Sequence, residues 1–141
     1  MADQEQQLTP TPYGNDAVTI LDDMIRRAAN IGASDIHLEP KRDRMQVRFR
    51  IDGTMVEQPQ IPLEVAGQVV SRIKVLARMD ISERRIPQDG QFTLEAGLGY
   101  LINLRAASFP CTQGEKVVLR LLLGQNLIAF EKLGFDKDTM D

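Results

Sequence analysis

Seven residues, Met45-Gln46-Val47-Arg48-Phe49-Arg50-Ile51, alternate apolar and polar without a break, and Asp52-Gly53 follows them directly. Alternation with period two places Met45, Val47, Phe49 and Ile51 on one face of an extended strand and Gln46, Arg48 and Arg50 on the other. Asp-Gly is a strong tight-turn dipeptide, so the chain is expected to reverse there and return over Thr54 to Gln58 as a hairpin.

The flanking segments take their readings from this hairpin. Residues 1–14 are polar and broken by Pro10 and Pro12, which predicts a disordered leader or linker. Asn15 or Asp16 can cap a first helix whose apolar face is Val18, Leu21, Ile25 and Ala28, with Gly32 placed to end it in a left-handed conformation. Asp35 to Glu39 alternates as a strand, and Pro40 to Asp43 reads as a turn. Pro59 and Pro62 bound the hairpin's return. Pro62 suits the first turn of a second helix carrying Val65, Val69, Ile73 and Leu76 and ending near Arg78. Ser82 to Gly90 is charged and turn-prone. Strands are then predicted at Gln91–Leu94, Tyr100–Arg105 and Lys116–Leu122, the first two joined by a loop holding Gly97 and Gly99. The order is helix, three strands, helix, three strands. It predicts an α+β fold built on a mainly antiparallel sheet of about six strands with two helices.

Hydrophobic residues make up 43% of the 141 and charged ones 26%, the balance of a globular domain. Seventeen basic against twenty acidic side chains leave a formal charge of −3, which argues against a dedicated nucleic-acid binder. Aromatic residues are only 5% and tryptophan is absent, so base-stacking platforms are scarce as well. Cys111 is the single cysteine, which excludes an internal disulfide and a cysteine-rich zinc site. No apolar run approaches the roughly 18–20 residues of a membrane span. Met1 to Gln7 lacks the basic and apolar segments of a secretory signal, so the expected localisation is cytoplasmic, with no direct membrane insertion.

No catalytic constellation emerges. Gly114-Glu115-Lys116 is the nearest fragment to a Walker A loop, and it lacks the first glycine and the hydroxyl residue. His37 is the only histidine and sits mid-strand between Ile36 and Leu38, as a structural or surface residue does. A metal site is not expected. The arginines carry more information. Arg48 and Arg50 share a strand face and are expected to pair with Glu39, Glu57 or Glu115 on a solvated sheet. Arg105 and Arg120 sit in otherwise mainly apolar strands, where a guanidinium needs a partner, and a phosphate suits its bidentate fork.

Several segments taken in order resemble one family. Gly32-Ala33-Ser34-Asp35-Ile36-His37-Leu38-Glu39-Pro40, Arg48-Phe49-Arg50-Ile51-Asp52-Gly53 and Ser71-Arg72-Ile73-Lys74 are similar to a domain of the type II secretion and type IV pilus assembly ATPases. So are Asp80 to Gly90, Arg105, Pro110 and Gly114 to Leu122. Cys111 departs from the pattern, standing where the family often has threonine.

The resemblance implies a PAS-like domain over residues 15–123, with 124–141 a linker toward a RecA-like ATPase core that lies outside the chain. It implies a parent that is a bacterial homohexamer using ATP and Mg. That parent would work at the cytoplasmic side of an inner-membrane platform for secretion or pilus assembly. In this picture the domain contacts its own core and neighbouring subunits, carries no cofactor and hydrolyses nothing itself. Arg105 and Arg120 match the family's paired arginines that reach the nucleotide phosphates. Arg84, Arg85, Gln88 and Asp89 match a stretch expected to serve domain or subunit contact. A stand-alone PAS-like domain sensing a small ligand is the alternative expectation.

Overall fold

The computed structural model describes residues 13–95 and 101–122. Residues 1–12 of the expected leader 1–14, the loop holding Gly97 and Gly99, and the expected linker 124–141 lie outside the described residues. Helix α1 spans Ala17–Asn30, strands β1 to β3 span Asp35–Pro40, Arg44–Ile51 and Thr54–Pro62, and helix α2 spans Leu63–Ala77. Strands β4 to β6 span Gln88–Glu95, Leu101–Cys111 and Gly114–Leu121. The six strands form one antiparallel sheet in the order β3-β2-β1-β6-β5-β4, so the fold is α+β as expected.

Helix α1 starts where an aspartate can hold it. The Asp16 carboxylate accepts the Thr19 backbone N–H at 2.8 Å, satisfying one of the donors that a helix start leaves free. At the far end Gly32 takes φ 77°, and the Ala33 N–H reaches back to the Ala28 carbonyl at 2.9 Å. The buried stripe is Ile20, Leu21, Met24, Ile25 and Ala28. Val18, expected on that stripe, is 46% exposed. At 100° per residue it lies about a quarter turn from the stripe's centre, at its edge.

Helix α2 buries Val65, Val69 and Ile73 as expected, together with Ala66, Val70, Lys74 and Ala77, while Leu76 is only partly buried against the core. Pro62 stands one position earlier than the first turn, as the extended residue before the helix.

Two strands run longer than their prolines suggested. Strand β3 continues through Pro59 to Pro62, with a register irregularity opposite Met45 to Val47. It is an edge strand, where a missing backbone N–H costs no ladder bond, and a bulge absorbs the rest. Strand β5 continues through Pro110 to Cys111. Its pairing with β4 stops at Ser108, so Pro110 faces a neighbour on one side alone.

Both helices pack on one face of the sheet. Ile36 and Leu38 of β1, Met45, Val47 and Phe49 of β2, and Val117, Leu119 and Leu121 of β6 point into that layer. Ile102, Leu104 and Ala106 of β5 join them. Tyr13, placed in the leader by the sequence reading, belongs to this core. It is fully buried, and its hydroxyl donates to the Pro59 carbonyl at 3.0 Å. The Arg27 guanidinium lies 5.5 Å from its ring centroid, a cation–π distance. The opposite face of the sheet carries no helix among the described residues, and its side chains define the candidate site.

Candidate functional site

Period-two alternation combined with the strand register places one line of residues across the open face. Arg50 of β2 is paired with Asp35 of β1, Asp35 with Arg120 of β6, Arg120 with Arg105 of β5, and Arg105 with Gln91 of β4. A second line runs Arg48, His37, Val118, Ala107 and Asp89. Arg105 and Arg120, fifteen positions apart in sequence, are thus direct cross-strand neighbours. Like charges in that relation destabilise a sheet, at separations near 5 Å between Cβ atoms. An anion laid across the pair reverses the sign of that interaction.

One carboxylate organises the line. Asp35 is almost completely buried, with 3% of its side chain exposed. Its Oδ1 accepts the Arg120 Nε–H at 2.8 Å. Its Oδ2 accepts the Ser34 hydroxyl at 3.0 Å and lies 3.4 Å from Arg50 Nε. Burial opposes charging of this carboxyl, but the hydrogen bonds from Arg120 and Ser34 outweigh it and hold the group below its ordinary range. Reciprocally, the bond to Asp35 and its negative charge keep Arg120 more firmly protonated.

Arg120 nevertheless leaves 65% of its side chain exposed. Among the described residues only its Nε has a polar partner, so the two terminal nitrogens face solvent. Arg105 is exposed and has no ion-pair partner among the described residues. The two arginines line a depression of about 490 Å³ with Asp89, Gln91, Ala107 and Val118.

Arg48 and Arg50, on the same face, are more fully engaged. Arg48 bonds Glu39 at 3.3 Å, as expected. Arg50 pairs with Asp35 rather than with an expected glutamate, and donates to the Gly53 carbonyl at 3.1 Å. Glu57 is taken by Gln46 at 2.8 Å. His37 is half-buried, and its Nδ1 has no partner among the described residues. Burial and then Lys116 push its pKa down, while Asp35 pulls the other way.

The other candidate stretch divides in the structure. Arg84 and Arg85 lie exposed on the connection between α2 and β4, beside exposed Ile81 and Ile86. Gln88 is not displayed with them, because its amide braces the connection from within. Its Nε2 donates to the carbonyls of Asp80 at 2.9 Å and Glu83 at 3.2 Å, and its Oε1 accepts the Asp80 N–H at 2.8 Å. Asp89 points to the open face, beside the arginines.

A buried charge that the sequence reading left without a role completes the brace. Lys74 is 1% exposed and donates to the Glu83 carbonyl at 2.8 Å. Its Nζ lies 2.7 Å from Glu115 Oε2, out of line for a hydrogen bond, so charge holds that contact. Glu115 was expected against Arg48 or Arg50, but it points to the opposite face. Gly90 closes the arrangement, since a Cβ there would run into the carbonyl of Ala77 at the end of α2.

No helix among the described residues is long and apolar enough to cross a membrane. A family model described as Type II/IV secretion system protein matches residues 15–141. The chain is 42% identical over 118 residues to the type II secretion system protein E of Xanthomonas campestris pv. campestris, covering 83% of this chain and 21% of that protein. It is 46% identical over 122 residues to the type IV pilus assembly ATPase PilB of Myxococcus xanthus, covering 86% and 21%. The chain therefore spans about a fifth of the length of these relatives. A crystal structure of the pilus retraction motor PilT with bound ADP is similar at a TM-score of 0.53 and 25% identity, over 83% of this chain and 33% of that one. The ATPase DotB of Legionella pneumophila shares the fold at a TM-score of 0.57 and 14% identity, over 82% and 33%. On these matches the chain belongs to the Type II/IV secretion system protein family.

Proposed function

We propose that this domain is the regulatory and assembly module of a hexameric ATPase that powers type II protein secretion or type IV pilus assembly. It presents Arg105 and Arg120 to the phosphates of a nucleotide bound by the ATPase core. The observation that carries this reading is the pair of arginines, cross-strand neighbours on an open sheet face and both exposed. Two planar forks side by side fit a polyphosphate, and closing the core against this face would set them on charge that builds up during phosphoryl transfer. The domain itself hydrolyses nothing. ATP and Mg are held by the core, and the arginines join that site only when the two units close, which couples domain rotation to the state of the nucleotide.

The exposed Arg84, Arg85, Ile81 and Ile86 suit contact with the core or with a neighbouring subunit. Attachment to an inner-membrane platform then comes through other parts of the motor, with the whole assembly peripheral to the membrane on its cytoplasmic side.

The test is hydrolysis by the full-length protein. Arg105→Ala and Arg120→Ala are each expected to lower turnover by about 10³-fold or more, in the range of arginine fingers. Assembly and circular dichroism should stay unchanged. Wild-type turnover in both variants contradicts the reading.

A further inference from the structure

We propose that Asp35 is a positioning residue for Arg120. It grips the guanidinium by its Nε edge, so that both terminal nitrogens are held outward for a phosphate group. The proposal rests on the phosphate-contacting reading of Arg120 and adds how that contact is prepared.

Three observations support it. The contact uses Nε alone at 2.8 Å, which leaves the fork of terminal nitrogens open, and 65% of the side chain stays exposed despite the ion pair. The carboxylate is itself fixed: it is 3% exposed, its second oxygen is occupied by Ser34 and Arg50, and its strand is paired on both sides. An aspartate this well held does not move with its partner. It therefore sets the plane in which the Arg120 guanidinium lies, removing rotamer freedom that a phosphate would otherwise have to freeze out. The third observation is Arg105, across the strand pair and with no ion-pair partner among the described residues. A fixed Arg120 beside an exposed Arg105 that no ion pair among the described residues ties down makes one preset and one adaptable phosphate contact.

A competing role makes the opposite claim about the same contact. If Asp35 merely neutralises Arg120, the phosphate must displace it, and removing its charge helps anions to bind. The experiment uses the 141-residue chain in low-salt buffer with inorganic tripolyphosphate as probe, followed by NMR of the arginine Nε–Hε groups and the backbone amides. In the wild type, titration is expected to shift Arg105 and Arg120 while the Arg120 Nε–Hε resonance keeps its hydrogen-bonded position at saturation. Return of that resonance to the position of a free arginine overturns the proposal, and this readout needs no variant.

In the second arm, Asp35→Asn is expected to bind tripolyphosphate about tenfold more weakly although the face has lost a negative charge. Equal or tighter binding overturns the positioning role. Asp35→Glu moves the carboxylate outward without changing charge and should also weaken binding. Absence of any shift at Arg105 and Arg120 in the wild type is a different failure, and it overturns the phosphate reading itself along with the role built on it.

Discussion

A phenol sealed inside a core should be hard to ionise, and Tyr13 is such a group. Burial pushes its pKa up to about 12, against a smaller opposing pull from Arg27. Because the folded value is raised, the neutral phenol's contribution is complete below pH 10 and fades as pH climbs through 12. The loss attributable to this group amounts to roughly 2 to 3 kcal/mol. Absorbance titration of phenolate should show one tyrosine ionising late, and Tyr13→Phe should remove it. If the late component persists in that variant, Tyr13 is not the shielded group. Gly90 offers a second test at this scale. Gly90→Ala drives a methyl into the Ala77 carbonyl, and denaturant unfolding should show a loss of about 1 to 3 kcal/mol.

These residues differ in how far the sequence announced them. The Asp16 cap and the Gly32 terminus were legible because each is a local rule about a helix end. Tyr13 was hidden in a proline-broken stretch, and its burial depends on a carbonyl 46 positions away.

Between α2 and β4, a charged and turn-prone stretch is held in one shape from beneath. Lys74 and Gln88 supply that hold through the carbonyls of Asp80 and Glu83, and Glu115 ties Lys74 to β6. Lys74→Met leaves Glu115 buried and unpaired and is expected to cost about 3 kcal/mol or more. The double variant Lys74→Met with Glu115→Leu should recover most of that stability. The hydrogen bond to Glu83 stays lost in both, so trypsin should cut at exposed Arg84 and Arg85 faster than in the wild type even in the stable double variant. Equal cleavage rates in wild type and double variant would show that Lys74 does not brace the connection.

Element type and order were readable from periodicity, because α1 and α2 each repeat their pattern over two turns or more and β2 alternates over seven residues. The ends of β3 and β5 were not. Pro59 and Pro110 signal a break only to a reader who does not know which strand lies at the edge of the sheet or where its neighbour stops.

On the scale of the whole molecule, one sheet face makes the core and the other makes the candidate site. Arg105 and Arg120 could be chosen from the sequence as guanidiniums in apolar strands, and the family resemblance selected the same two. Their neighbour Asp35 could not be found that way. It is 85 positions from Arg120, and nothing local states that β1 lies beside β6. Asp89 was grouped with Arg84 and Arg85 as part of one family-like stretch, yet strand parity turns it toward the arginine pair.

In the proposed motor this open sheet face closes on a nucleotide. The most direct measurement is a structure of the full-length protein with a non-hydrolysable ATP analogue and Mg. In at least one subunit, terminal nitrogens of Arg105 and Arg120 are expected within about 3 Å of phosphate oxygens. Phosphates met by core residues alone in every subunit, with the open sheet face turned elsewhere, would contradict it.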